Sequence, residues 1–203
     1  MKQQQILVAA TKVFMEHGFS RVSMDQITKD AKVSKATLYA YYKSKHELFG
    51  AVLKHYQNTN KIQSPQLPTL VPTDLATFKE SIKIYIESAV KFYSNPSVVK
   101  LYRLLVSEIC QLPELFELLF ESQSGRMTVG LANYINKFSN NHTDSNSNYL
   151  LACQILDLLR GATLWTKLTQ NPVKQQLFKD NSAIVNYVYT SSSLLIDYHF
   201  KEM

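Results

Sequence analysis

The sequence predicts an all-α chain: an amino-terminal three-helix unit of helix-turn-helix type followed by a larger helical body, about nine helices together. Three observations lead there. Apolar residues recur at helical spacing along most of the 203 residues, helix-capping patterns cluster between Ser23 and Glu47, and no segment alternates with the two-residue period of a strand.

Taken in order, Ile6, Ala9, Ala10, Val13 and Phe14 give the first helix its buried face, and Gly18 stands where a left-handed C′ residue would stop it, with Phe19 folding back on Phe14. Ser23 and Gln26 form a capping-box pattern, with Val22 and Ile27 as its hydrophobic staple, so a second helix starts at about Met24. Ser34 repeats the device: its hydroxyl caps at Thr37, and Val33 with Leu38 makes the staple of a helix over Lys35–Tyr42. Ser44 and Glu47 open a further helix at Lys45, which runs toward Tyr56 on Leu48, Val52 and Leu53. The common core of this unit comprises Phe14, Phe19, Ile27, Ala31, Val33, Leu38 and Leu48.

Charge separates this unit from the rest. Residues 1–60 hold nine Lys and Arg against four Asp and Glu, whereas residues 61–203 hold thirteen against twelve. Nearly all the excess positive charge therefore lies on the first quarter, as a phosphate-facing module on a near-neutral body requires. A basic face alone is commonly only a solvated face; here it coincides with a helix-turn-helix.

The runs GFSRVSMDQIT and KVSKATLYAYYKSKHELF resemble the amino-terminal DNA-binding domain of the TetR/AcrR transcriptional regulators, over about the first fifty residues. They match its Gly-aromatic helix end, capped second helix, Val-Ser turn, Thr-Leu-Tyr, aromatic pair and Ser-Lys-x-Glu-Leu. One position departs: the family usually has Gly in the turn where this chain has Lys32, and a positive φ there costs a lysine about 1 kcal/mol relative to glycine.

The resemblance implies that the helix from Lys35 lies in the major groove, with Lys35, Ala36, Thr37 and Ala40 nearest the base edges. Lysine donates to guanine O6 and N7, and the methyl groups of Ala36, Ala40 and Thr37 suit a thymine methyl, so Lys35 is the expected base reader. Thr37, Tyr39, Tyr41 and Lys45 match phosphate-contacting positions, with Ser34 beside them. Lys2, Lys43, Ser23 and Gln26 rank second, because capping or solvation explains each without DNA. Tyr42 matches a buried aromatic and is read as core.

Residues 57–73, with Pro65, Pro68 and Pro72, read as a linker or irregular crossing between a domain over 1–56 and a body over 74–203. Helices are expected over Asp74–Tyr93, Val98–Leu112, from Pro113 toward Phe138 with Gly125 and Gly130 as points of bending, over Tyr149–Leu168 and over Ser182–Phe200. The stretch from Asn140 to Asn148 reads as a polar loop.

VVKLYRLLVSEICQLPELFELLF and ILDLLRGATLW resemble the carboxy-terminal domain of the AcrR and AefR-like branch, more weakly than the head matches. That resemblance implies a homodimer through the last two helices and a central pocket for a small, largely apolar effector. Ile184, Val185, Tyr187, Val188, Leu194, Leu195, Ile196 and Tyr198 give the final helix more apolar surface than one face needs, which suits an interface. Tyr102, Leu105, Phe116, Leu119, Phe120, Met127, Tyr134 and Trp165 are candidate pocket residues, and equally candidates for ordinary core. Arg103, Glu108, Asp157 and Arg160 interrupt apolar helices, where salt bridging and ligand orientation are both open.

Other chemistry finds little support. Cys110 and Cys153 make no CxxC pair or disulfide framework, and His17, His46, His55, His142 and His199 lack metal-ligand spacing. No phosphate loop, nucleophile elbow or dinucleotide fingerprint occurs, so no catalysis, cofactor or metal is expected. ILVAA is too short for a signal h-region and no apolar run approaches about 18 residues, which leads to the expectation of a soluble, cytoplasmic protein without a membrane partner. The reading is a dimeric regulator of transcription, a repressor released from a palindromic double-stranded DNA operator by a small molecule. The alternative is a DNA-binding structural or cell-division factor on the same fold.

Overall fold

The computed structural model describes residues 1–70, 72–109, 125–139 and 143–201. Among them every regular element is a helix: α1 Lys2–His17, α2 Met24–Asp30, α3 Lys35–Tyr41, α4 Lys45–Thr59, α5 Leu75–Ser94, α6 Pro96–Ile109, α7 Gly125–Ser139, α8 Ser145–Ala162, α9 Leu164–Thr169, α10 Pro172–Leu177 and α11 Asn181–His199. Contacts group the chain into two units, Met1–Gln63 with Lys100–Leu118, and Ser64–Val99 with Leu119–Met203.

The first unit is organised by its caps. Ser23 accepts from the Gln26 amide, Ser34 from Thr37 and Ser44 from Glu47, each at 3.1 Å. The Glu47 carboxylate returns to the Lys43 amide at 2.8 Å, one residue before the cap. These bonds satisfy N–H groups that no helical carbonyl can reach. Beneath them Phe14 stacks on Phe19 at 5.8 Å and meets Phe49 edge-on at 5.1 Å, as Phe19 also does at 4.9 Å. Ile6, Ala10, Ile27, Leu38, Leu48 and Val52 complete this core.

Two stops differ in kind. At the end of α2 the Val33 amide donates to Thr28 at 3.1 Å and the Lys32 amide to Lys29 at 3.1 Å, a Schellman pattern with Lys32 at the left-handed C′ position, φ 52°. Gly18 was expected to play that part for α1. It has φ 84° but ψ 169°, a region open essentially to glycine alone, and its amide bonds to Phe14. The expected Phe14–Phe19 contact forms without the left-handed stop.

In the second unit α5 buries Phe78, Ile82, Tyr85, Ile86, Ala89 and Tyr93 along one face. Phe78 stacks on Phe138 of α7 at 4.2 Å and meets Phe200, just past α11, at 5.8 Å. Asn148, fully buried on α8, ties three elements together. Its amide donates to Asn136 at 2.7 Å and Ser139 at 3.2 Å, and its oxygen lies 2.8 Å from the Thr143 hydroxyl and 2.7 Å from His199 Nε2.

Several expected boundaries move. Pro96 opens α6 directly after Asn95, so the helix expected from Val98 starts two residues earlier. Asp144 caps α8 through the Ser147 amide, which turns residues 145–148 of the expected polar loop into helix. The helix expected to reach Leu168 breaks at Thr163, and α10 is an additional element, capped by Asn171 with Pro172 next in line. Gly130 lies inside α7. The expected helix opening at Pro113, together with Cys110, Phe116, Leu119, Phe120 and His142, lies outside the described residues.

Candidate nucleic-acid interface

Helix α3 fully buries one side chain, Leu38, and leaves most of its surface uncovered. Lys35, Ala36 and Ala40 are exposed, Thr37 is half-buried, and Tyr39 and Tyr41 keep 47% and 43% of their surface accessible. Two exposed tyrosines on a seven-residue helix are poor surface residues unless something packs on them. Tyr42, by contrast, is buried and takes a bond from Gln3 at 3.4 Å.

The two lysines singled out from the sequence are both engaged. Lys35 Nζ lies 2.7 Å from Asp25 on α2, and the carboxylate raises the lysine's pKa through that bond and its charge. Lys45 reaches back to the Ser20 carbonyl at 3.4 Å and sits 4.3 Å from the centre of the Phe19 ring. Burial lowers its pKa, and the charge of Glu108 opposes that shift. Thr37 is half committed as well, since its hydroxyl lies 2.9 Å from Ser34 Oγ within the cap. Tyr39, Tyr41, Ala36 and Ala40 are therefore the side chains presented without rearrangement.

Glu108, buried on α6, has a role the sequence did not show. Its carboxylate accepts from both the amide and the hydroxyl of Ser20, and its other oxygen occupies the space a Cβ on Gly18 would need. The α1–α2 turn is thus clasped by α6, and Gly18 is required by its φ. A charged residue in an apolar helix was the visible signal; its partner, 88 residues away, was not.

The candidate pocket residues scatter. In the first unit Tyr102 and Leu105 are buried and Arg103 is exposed. In the second, Met127 and Tyr134 are buried, the Tyr134 hydroxyl donating to Leu70 at 3.1 Å, and Trp165 is 45% exposed. Arg160 pairs with Asp157 at 3.2 Å, as a salt-bridge reading expects, but it also reaches Tyr93 at 3.3 Å and Thr128 at 3.4 Å. Near them the Tyr85 hydroxyl is buried without any partner, an omission worth about 1–3 kcal/mol. A groove of about 680 Å³ opens elsewhere in this unit, between α8, α10 and α11, lined by Leu158, Lys174, Tyr187 and Leu194 among others. Among the described candidates Tyr102, Arg103, Leu105, Met127, Tyr134 and Trp165 none lines it, whereas Asp157 does.

Among the described residues no group of acidic, His or Cys side chains is placed to hold a metal ion, and no helix is long and apolar enough to cross a membrane. Cys153 is a half-buried free thiol.

An all-helical chain whose basic head presents a short, nearly uncovered helix after a tight turn belongs to the helix-turn-helix class. The model of the bacterial regulatory proteins of the tetR family matches residues 6–52. The HTH-type transcriptional regulator YhgD of Bacillus subtilis is 38% identical over 72 residues, 33% of this chain and 38% of YhgD. The HTH-type transcriptional activator FasR of Mycolicibacterium smegmatis is 42% identical over 55 residues, 27% of this chain and 25% of FasR. The chain thus spans less than two fifths of the length of these curated relatives. Across nearly its whole length it superposes on the flavonoid-responsive regulator FrrA, with a TM-score of 0.74 and 25% identity over 97% of this chain and 95% of that one. Residues 6–52 thus match a tetR-family regulatory domain, and the whole chain shares the fold of FrrA.

Proposed function

We propose that the protein is a transcriptional regulator that binds a palindromic operator as a homodimer and represses until a small, largely apolar effector releases it. The observation that carries this reading is α3, whose exposed residues from Lys35 to Tyr41 form a DNA-sized reading edge held rigid by three side-chain caps. In it Lys35, Ala36, Thr37 and Ala40 face base edges, while Ser34, Thr37, Tyr39, Tyr41 and Lys45 hold phosphates. Lys35 must leave Asp25 to read a base, and Lys45 must leave Ser20; each exchange replaces an intramolecular contact with one to DNA.

Dimerisation is supported by α11, which has two apolar faces. Ile184, Val188 and Ile196 are buried, whereas Tyr187, Leu194 and Tyr198 form a second stripe that is 45%, 68% and 83% exposed. Leu150 on α8 is 62% exposed as well. FrrA is named a flavonoid-responsive regulator, which supports a small-molecule effector for this chain. FasR is an activator by its name, so the sign of regulation is tested with a promoter reporter.

Selection of bound duplexes from a random pool, followed by titration at several salt concentrations, tests the reading. An inverted repeat with half-sites about 34 Å apart, or a multiple of that, is the expected product. Lys45→Ala should weaken all sequences alike and lower the salt slope by about one, whereas Lys35→Ala should change base preference at one position. Recovery of no preferred sequence, with no salt-dependent duplex binding, overturns it.

A further inference from the structure

We infer that Glu108 is a positioning residue for DNA binding: acting through Ser20, it draws the Lys45 ammonium back from the phosphates, so that a carboxylate on α6 limits the strength of that backbone contact. This rests on the reading of Lys45 as a phosphate ligand and names what restrains it.

The two charges meet at one residue. Ser20, in the turn between α1 and α2, gives its amide, at 3.3 Å, and its hydroxyl to the same Glu108 oxygen, Oε2. The Ser20 carbonyl accepts from Lys45 Nζ at 3.4 Å. Every polar group of this serine is thus engaged by one charge or the other. The ammonium also lies 4.3 Å from the centre of the Phe19 ring, whose face attracts cations. Phe19 is 3% exposed and packed against Phe14 and Phe49, so the ring cannot follow the lysine outward.

The helix that carries Lys45 does not favour its charge. Lys45 is the first residue of α4 after the Ser44 cap, where the helix dipole opposes a cation. What holds the ammonium comes from elsewhere: the Ser20 carbonyl, the Phe19 ring and the field of Glu108. Burial lowers the Lys45 pKa, and the charge of Glu108 works against that shift, so the carboxylate stabilises the ammonium in its retracted place. Glu108 is 8% exposed, which leaves its charge less screened than a surface carboxylate's. A phosphate that takes Lys45 competes with all three. Because the contact is to the backbone, the restraint acts on every sequence alike.

A carboxylate that merely braces the turn would differ in sign. Weakening a brace lowers DNA affinity, whereas neutralising a competitor for Lys45 raises it. Glu108→Gln separates the two, because its single carbonyl oxygen can keep both Ser20 bonds while the charge is lost. The whole chain is titrated against a mixed-sequence duplex at several salt concentrations, as wild type, Glu108→Gln, Lys45→Ala and the double variant. Glu108→Gln should bind about two- to fivefold more tightly, the scale of a partly screened charge pair, and the gain should vanish in the Lys45→Ala background. Glu16→Gln removes an exposed carboxylate from the same head; its gain, from net charge alone, should be smaller and should persist without Lys45. Independently of DNA, the NMR signal of the Lys45 ε-carbon should titrate at lower pH in Glu108→Gln than in wild type. A Glu108→Gln protein that loses helicity or binds duplex more weakly shows a brace and overturns the inference, as does an unmoved Lys45 titration. Absence of salt-dependent duplex binding by the wild type removes the regulator reading itself. Duplex binding whose response to Glu108→Gln is nil, or independent of Lys45, removes only this role.

Discussion

Lys32 adopts φ 52° because two amides, its own and that of Val33, must turn back to close α2. A side chain with a Cβ tolerates that region at a cost glycine avoids. The lysine is exposed, so its replacement disturbs no packing. Lys32→Gly should therefore stabilise the protein by about 1 kcal/mol, measured as a higher urea midpoint at constant m-value. An unchanged or lower midpoint would show that glycine's extra freedom in the unfolded chain outweighs the relief. The departure was visible only through the family resemblance, which has Gly in the turn where this chain has Lys32. Lys35 was legible only by half: its place at the start of α3 followed from the Ser34 cap, but its ion pair with Asp25 joins two helices whose relative rotation no local pattern encodes.

At the scale of elements, capping residues and apolar spacing placed the head's helices within a few residues, and both signals are local. What escaped depends on partners distant in sequence. Asn148 lay in a stretch of polar residues that reads as loop, yet it is the fully buried hub between α7, α8 and His199 at the end of α11. Its four hydrogen-bonding sites are all used, so the Nε2 of His199 has to donate, which requires an imidazole proton there. Burial holds the His199 pKa below its ordinary value. The unfolded chain then binds more protons than the folded one, and stability rises with pH across that interval. The contribution is complete above the ordinary value of 6.5 and is lost as pH falls below it toward the lowered folded value. Wild-type Tm should accordingly drop between about pH 7.5 and about pH 5.5, and the drop should be smaller in His199→Gln, which keeps an N–H donor without the titration. Parallel curves for the two proteins would assign the pH dependence to other groups.

For the whole molecule, the sequence separated a basic head from a near-neutral body through charge alone, but it could not say that Lys100–Leu118 would group with the head. That grouping is made by side chains such as Glu108, whose bond to Ser20 closes a loop of 88 residues. The body's outer surface was more readable. Excess apolar residues on the final helix predicted a second face, and α11 shows one running through Tyr187, Leu194 and Tyr198. These residues recur at intervals of seven and four, so they make a single stripe along the helix. A stripe of this kind in water is costly at about 25 cal/mol per Å² of apolar surface, and a second copy laying the same stripe against it removes that cost on both sides at once. Leu194→Glu places two carboxylates at the centre of such a contact without touching the inward face of Ile184, Val188 and Ile196. Sedimentation should find the wild type dimeric at micromolar concentration and the variant monomeric with unchanged helicity. Because a lone head keeps its phosphate contacts but loses the second half-site, the variant should bind a palindrome no better than a single half-site. A Leu194→Glu protein that stays dimeric and keeps full preference for the palindrome would place the interface on another surface.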